Sequence, residues 1–467
     1  MRALAAGQLY PQPEPQRHPD RGGLLRGDYS DRGAAAGRRG GGAALLLTLP
    51  IASRDGQSAG FFTGLFTATS STCVTGLILV DTWTQWTLFG QAVILTMIQL
   101  GGLGFMTVIT LVSFALHRRI GLSERLIMVS TLNLNDMDGV VRVVRHALIG
   151  TFAMETAGAV LMSVCLIPEF GFLKGTWHAV FHAVSSFCNA GFDLLGGRFG
   201  AFSSLAGYND NPLMLGTTAA LIVVGGLGFF VWEDIVDKRC WSRLSVYSKM
   251  VLLITAVLIV GGALFFLMEE FDNPATLGDM PLWQKGLNAL FQSVTLRTAG
   301  FDSIGQGGLS DTSKAMSCVL MLIGGSSGST AGGLKTATVG VLLLALRSGL
   351  MGREQVTFRG RAIHYRRVLN AMTLALVVLF VFVFSSMVVS TVEDLPYLDS
   401  AFEVASAMGT VGLTTGITPT LTPFSQGLLI LLMYMGRVGI LSFSIAFITG
   451  NRHPAKIKYP EMNVMIG

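Results

Sequence analysis

The sequence predicts an all-α integral membrane protein: four units of span, re-entrant pore helix, filter and second span, set around a pseudo-fourfold central pore. Three observations carry this. The 467-residue chain is 51% hydrophobic and only 13% charged, about half the charge of a soluble domain. Apolar runs of about 20 residues, the length that crosses a bilayer, recur along it. Between them one spacing appears four times. Phe66…Gly76-Leu77, Phe181…Gly191-Phe192 and Phe402…Gly412-Leu413 each set an aromatic ten residues before a glycine, and Leu290…Gly300-Phe301 keeps the frame with leucine.

Residues 1–42 are rich in Arg, Gly, Pro and Gln, without periodicity and without the apolar core of a signal peptide. They read as a disordered or mis-assigned N-terminus. Ala43–Ala52 is apolar but too short for a span, so the first pore repeat, 43–125, has an incomplete leading span. The second repeat is 126–243, the third 244–352, the fourth 353–450, and 451–467 is a cytoplasmic tail. The expected spans are Leu88–Leu116, Ala147–Ile167, Pro212–Trp232, Met250–Met268, an interrupted Ser313–Leu346, Val368–Val392 and Phe424–Ile448. Phe61–Thr69, Thr176–Ser186, Leu282–Thr295 and Tyr397–Ala407 are amphipathic and too short to cross, the length of a re-entrant helix.

The filter segments are Thr72-Cys73-Val74-Thr75-Gly76, Phe187-Cys188-Asn189-Ala190-Gly191, Leu296-Arg297-Thr298-Ala299-Gly300 and Met408-Gly409-Thr410-Val411-Gly412. Their side chains differ while the glycine persists. A site that conserves backbone between its own copies is read as using carbonyl groups, the way a potassium filter replaces an ion's water shell. No Asp or Glu ring is present, which argues against selection of divalent ions. The competing reading, ordinary helix C-caps, leaves the fixed offset to the aromatic unexplained.

The second spans echo one another in Leu100-Gly101-Gly102-Leu103-Gly104-Phe105, Val224-Gly225-Gly226-Leu227-Gly228-Phe229, Ile323-Gly324-Gly325-Ser326-Ser327-Gly328 and Met435-Gly436-Arg437-Val438-Gly439-Ile440. Such glycines either pack helices closely or line a pore. In the third unit the glycines continue as Ser329-Thr330-Ala331-Gly332-Gly333-Leu334. The run resembles a phosphate loop, but Leu334 holds the lysine position and no strand precedes it. Irregular backbone at membrane depth lines a cavity or is buried in protein, so the loop reads as a gate below the filter, with a simple kink as the alternative. Arg437 stands mid-span, where a charge is costly and functional by default. It either holds the loop, sets a barrier, or bonds a structural carbonyl. Arg297 is expected to point behind the filter toward a carboxylate, and Glu155 to make a polar contact between helices.

The remaining residues set limits. The net charge of +5 is small, and the basic residues lie in loops, so they orient the chain in a membrane rather than bind nucleic acid. Loops with Arg118, Arg119 and Arg125, Lys238, Arg239, Arg243 and Lys249, Arg347, Arg353, Arg359, Arg361, Arg366 and Arg367, and Arg452, Lys456 and Lys458 would face the cytoplasm. Acidic loops (Asp81, Glu169, Glu269, Glu270, Asp272, Asp279, Glu393, Asp394, Asp399) would form an outer vestibule that concentrates cations. Cys73, Cys165, Cys188, Cys240 and Cys318 form no C-x-x-C pair and read as free, buried thiols. His178 and His182 are spaced i, i+4 without a third ligand in view.

Taken together, the repeated unit, Thr-Cys-Val-Thr-Gly-Leu, Phe-Cys-Asn-Ala-Gly-Phe, Leu-Arg-Thr-Ala-Gly-Phe, the Gly/Ser loop and Met-Gly-Arg-Val-Gly resemble the Trk/Ktr/HKT superfamily of potassium uptake proteins, over about residues 44–467 and with motifs from all four units in order. Within it the chain is most similar to KtrB-type membrane subunits of bacterial Ktr systems. The resemblance implies K+ as the transported ion and no cofactor in this chain. It implies a homodimer in the bacterial inner membrane, with a cytoplasmic KtrA-like regulatory ring that carries the nucleotide (ATP/ADP or NAD). It implies that Gly76, Gly191, Gly300 and Gly412 are the filter glycines, that 324–333 is the intramembrane gate, and that Arg437 is its latch. Glycine in the first filter, where some plant relatives carry serine, implies potassium over sodium. The basic loops and the tail would meet the ring. Family members carry a complete first span where this chain has Arg26–Gly42.

Other classes predict different features. A membrane enzyme needs a Ser–His–acid set, and none stands out by spacing. An inverted-repeat transporter needs two oppositely oriented halves, whereas here all basic loops fall on one side. A non-conducting scaffold for regulators would be indifferent to Gly412.

Overall fold

The computed structural model describes residues 42–104, 140–353 and 355–439. Almost all of the expected N-terminal segment, the inner part of the first repeat's second span, the last expected span beyond 439 and the tail lie outside them. The described residues are almost wholly helical. We label the principal helices α1 Phe61–Cys73, α2 Leu88–Leu103, α3 Val140–Phe170, α4 Phe172–Cys188, α5 Pro212–Leu227, α6 Phe229–Lys238, α7 Val246–Glu269, α8 Leu282–Thr295, α9 Asp311–Leu322, α10 Thr336–Leu350, α11 Tyr365–Glu393, α12 Tyr397–Gly409 and α13 Pro423–Val438. A short hairpin, β1 Thr357–Phe358 and β2 Arg361–Ala362, joins α10 to α11.

Among the described residues three helices are long and apolar enough to cross a membrane: Arg145–Phe170 of α3, α7 and α11. Only 28%, 22% and 22% of their most apolar windows are buried. Val160 and Val164, Val257 and Leu264, and Phe380 and Phe384 are exposed. A helix apolar all round that buries so little within the protein finishes its burial in lipid. The shorter helices α1, α4, α8 and α12 are the reverse. In α12 every residue from Ser400 to Gly409 is buried, polar ones included. A positive-φ glycine, Gly60 or Gly171, or a proline, Pro281 or Pro396, turns the chain sharply into each.

The sequence reads Pro212–Trp232 as one span, and the structure breaks it. At Gly228 (φ 87°) the chain turns, and α5 and α6 lie 95° apart. The neighbouring α2 and α13 likewise end at positive-φ glycines, Gly104 (φ 77°) and Gly439 (φ 95°). Only glycine takes such angles without steric cost, so the repeated Gly-rich run stops three helices at one register.

Candidate functional site

The four glycine segments meet. Each of α1, α4 and α12 ends in a Schellman cap. Val74 N–H donates to Ser71 O (3.2 Å) and Thr75 N–H to Ser70 O (2.8 Å); Asn189 with Ser186, Ala190 with Ser185, Thr410 with Ala407 and Val411 with Ser406 repeat the pair at the same lengths. The left-handed residue of the cap is therefore Val74 (φ 57°), Asn189 (59°) or Thr410 (53°), with Thr298 (68°) at the same offset in the third segment. β-Branched residues rarely adopt such φ. The glycines come two residues later, at φ 95°, 71°, 82° and 98° for Gly76, Gly191, Gly300 and Gly412. The C-cap reading thus holds for the residue two before the glycine in three copies and not for the glycine itself; in the third, the cap of α8 is Leu296, four residues before Gly300.

Each glycine faces the next segment. A Cβ on Gly76 would fall within 3.0 Å of the Ala190 carbonyl oxygen, one on Gly191 of Ala299 O, one on Gly300 of Val411 O, and one on Gly412 of Thr75 O. The order 76, 191, 300, 412 and back to 76 closes a ring of four carbonyls and four Cα atoms that has no room for a side chain. Leu77, Phe192, Phe301 and Leu413, one residue on, are buried outside it. Sequence spacing missed a serine six residues before the glycine in three copies. Gly76 N–H donates to Ser70 Oγ and Gly412 N–H to Ser406 Oγ, both at 3.0 Å. Ser185 holds the same position, while the third copy has Val294 there and instead bonds Thr295 Oγ1 to Phe301 O (2.7 Å).

The third copy also slips by one residue. Phe66, Phe181 and Phe402 are fully buried, but Leu290 is 42% exposed and Phe291 takes the core position. The reason is that α8 ends two residues earlier relative to its glycine than the other three.

The glycines of the second spans pack against this ring. A Cβ on Gly101, Gly225 or Gly436 would strike the carbonyl of Thr72, Phe187 or Met408, each four residues before a ring glycine. Gly102 lies on Cys188, and Gly409 on the Met321 carbonyl. This is close packing, one of the two roles the sequence leaves open.

The Gly/Ser loop packs against the glycine segments, Gly324 near the Thr298 side chain and Gly332 near that of Thr410. It starts and ends in a single bridge, Ile323 with Leu334. Ser326 N–H donates to Gly226 O (3.0 Å), Thr330 N–H to Gly225 O (3.3 Å), and Phe229 N–H to Gly328 O (3.0 Å). Ser326 Oγ reaches Leu227 O, and Thr330 Oγ1 reaches Phe187 O (3.2 Å). The loop thus satisfies the backbone groups that the bend at Gly228 releases. Ser327 and Ser329 lie on its turn, where Ser329 Oγ donates to Ser326 O (2.7 Å). Gly324 abuts the Gly332 carbonyl, Gly325 the Gly226 carbonyl, Gly332 the Thr410 side chain, and Gly333 (φ 63°) the start of the loop.

Two arginines hold it. Arg437 donates to the carbonyls of Thr330 in the loop and of Gly101 and Gly102 at the end of α2. Its partners are carbonyls and one of them is the loop, so two of the three sequence readings describe the same contact. The sequence points Arg297 toward a carboxylate. It donates instead to Gly324 O (3.3 Å) and Thr336 Oγ1 (3.2 Å). The open end of α9, broken at Gly324, supplies an acceptor that sequence cannot foresee.

Other expectations resolve separately. Glu155 accepts from Gln99 (3.0 Å), bridging α3 to α2. His178 packs on Trp83 and Phe170, and His182 on Phe301; among the described residues no group of side chains could hold a metal ion. Cys73, Cys188 and Cys318 are buried, but Cys165 is only half-buried and Cys240 is exposed, because it lies in the turn between α6 and α7. Much of the expected acidic vestibule is already engaged. Asp81 accepts from Thr84 N–H (2.9 Å) and Phe202 N–H (3.1 Å), Asp399 pairs with Lys314 (2.8 Å), and Glu169 with Arg198 (3.2 Å). Glu270 is fully buried, accepting from Ser310 N–H (3.0 Å) and Thr276 Oγ1 (2.7 Å).

Lipid-facing helices around short buried helices, closing on a ring of backbone carbonyls, are the features of a multi-pass membrane transporter. The chain belongs to the TrkH family of cation transport proteins, whose family model matches residues 38–455. It is 44% identical to the potassium/sodium uptake protein NtpJ of Enterococcus hirae, over 90% of this chain and 93% of that one. It is 36% identical to the Ktr system potassium uptake protein B of Bacillus subtilis, over 91% and 93%. Among solved structures it resembles the potassium transporter TrkH of Vibrio parahaemolyticus, with a TM-score of 0.69 at 17% identity, covering 94% of this chain and 87% of that one; at that identity the likeness speaks for the fold. The family is one of cation transporters, not of enzymes.

Proposed function

We propose that the chain is the membrane subunit of a potassium uptake system, passing K+ inward through four carbonyl-lined segments with 324–333 as gate and Arg437 as its latch. The observation that carries this is the closed ring of Gly76, Gly191, Gly300 and Gly412 against the carbonyls of Thr75, Ala190, Ala299 and Val411. Carbonyl dipoles at that density substitute for water around a monovalent cation. The names of the relatives at 44% and 36% identity point the same way. On this reading the repeats are 43–125, 126–243, 244–352 and 353–450, the basic loops face the cytoplasm, and a homodimer docks a KtrA-like ring that holds the nucleotide. A second reading, in which sodium is also carried, is favoured by the potassium/sodium naming of NtpJ.

The test is growth of a potassium-uptake-deficient bacterium at low potassium, with this chain and a regulatory subunit co-expressed. Growth is expected, and Gly412→Ser is expected to abolish or weaken it, since any Cβ there meets Thr75 O. No growth with protein present in the membrane would sink the potassium reading. Growth indifferent to Gly412→Ser would sink the filter. Sodium uptake by the wild-type chain decides the second reading.

A further inference from the structure

Beyond the ring and its loop, three arginines gather where α10 meets the hairpin. Arg347 ends α10. Ser348 Oγ then donates to Gln355 O (2.8 Å) and Arg353 N–H to Ser348 O (2.9 Å), which folds the chain back and brings Arg353 beside Arg347. The hairpin follows, with Thr357 opposite Ala362 and Phe358 opposite Arg361. Its two-residue turn, Arg359-Gly360, has φ of 47° and 77°, the signature of a type I′ turn. The turn places Arg359 at the same cavity, of about 340 Å³, lined also by Ser348, Thr357 and Met351. Among the described residues no carboxylate pairs with Arg347, Arg353 or Arg359.

We propose that this cavity binds the phosphate headgroup of an anionic phospholipid. Three guanidinium groups around one cavity match a phosphate diester. The neighbouring surface selects a lipid over a soluble anion. Leu344, Met351 and Phe358 line the same cavity, and Leu343, Leu346 and Leu350, at 56%, 60% and 81% exposure, form an exposed apolar stripe on the adjacent face of α10. Apolar side chains inside the cavity give acyl chains a surface that a free phosphate does not need. Basic pockets at the inner end of membrane helices hold anionic headgroups by the same combination. The proposal rests on the membrane reading and on the basic loops facing inward.

The test is native mass spectrometry of the full chain offered equal amounts of phosphatidylglycerol and phosphatidylcholine. Several-fold more phosphatidylglycerol is expected to stay bound. In Arg347→Gln/Arg353→Gln/Arg359→Asn that ratio is expected to fall to near one; asparagine suits the left-handed turn position. Arg239→Gln/Arg243→Gln/Arg361→Gln removes as many charges outside the cavity and should leave the ratio unchanged. If the triple variant does not fold, Arg347→Gln/Arg353→Gln, which spares the hairpin turn, is read instead. An equal ratio in the wild-type chain, an unchanged ratio in the cavity variant, or an equal fall in the control overturns the proposal. So does displacement of the lipid by soluble glycerol phosphate at the same concentration. Loss of regulatory-ring capture with the lipid ratio intact would assign the arginines to protein docking and likewise overturn it. Lipid retention is read without ion flux, so failure here stays separate from failure of the transport reading.

Discussion

The guanidinium of Arg437 donates to the carbonyl of Thr330, 107 residues away in the chain, and with its other nitrogen to Gly101 and Gly102. One side chain thus ties the end of α2 to the Gly/Ser loop. A hydrogen bond to a charged group contributes about 1.5–3 kcal/mol, so under the proposed gating role losing the loop contact shifts a closed-to-open balance about tenfold or more. Arg437→Gln is expected to raise rubidium leak into proteoliposomes in the absence of any activator by about that factor. A leak equal to wild type would mean that the loop is held without it.

The serine six residues before the glycine makes a graded prediction. Ser406→Ala leaves the buried Gly412 N–H without its acceptor, a cost of about 1–3 kcal/mol, and Ser70→Ala does the same to Gly76. Both are expected to lower potassium-over-sodium selectivity in flux assays. Ser185 Oγ has no such bond to Gly191 among the described contacts, so Ser185→Ala should change selectivity least. Equal effects in all three would refute the role of the bond.

The slip in the third copy predicts unequal costs for adjacent residues. Phe291→Ala empties a core position and should destabilise by about 3–5 kcal/mol. Leu290→Ala, on an exposed side chain, should change the thermal midpoint little. The reverse order would restore the unslipped register.

Glu270 makes the pH prediction. Burial alone would raise its pKa, but bonds from Thr276, the Ser310 N–H and Asn273 hold the carboxyl below its ordinary value. A depressed carboxyl stabilises the folded state above the unfolded pKa, and the contribution is lost as pH falls through the folded value. The thermal midpoint of the wild type should therefore drop on the acid side of the ordinary glutamate range. In Glu270→Gln that part of the drop should be absent, and an identical pH profile in both would remove Glu270 as its source.

The sequence reaches the three long spans of α3, α7 and α11 because apolar length is a property of local composition, and the ring glycines because four copies share one spacing. It does not reach the strained residue two places earlier. Val74, Asn189, Thr298 and Thr410 have no common chemistry, and three of the four are β-branched, the type least suited to positive φ. Their conformation is imposed by the caps and by the neighbouring segments. The same holds for Arg297 and Arg437, whose partners are main-chain carbonyls, invisible in any side-chain pattern. The break at Gly228 needs the loop of another unit to satisfy its amides, so one helix read alone looks continuous.

The loop at 324–333 touches α2 through Arg437, α5 directly and the end of α12 through Gly332. An object that reaches every quadrant can exist only once. Four identical subunits would have to contribute four such loops to one space, and they would collide. A single polypeptide with four unequal copies escapes that constraint: one copy can carry a loop that perfect symmetry forbids.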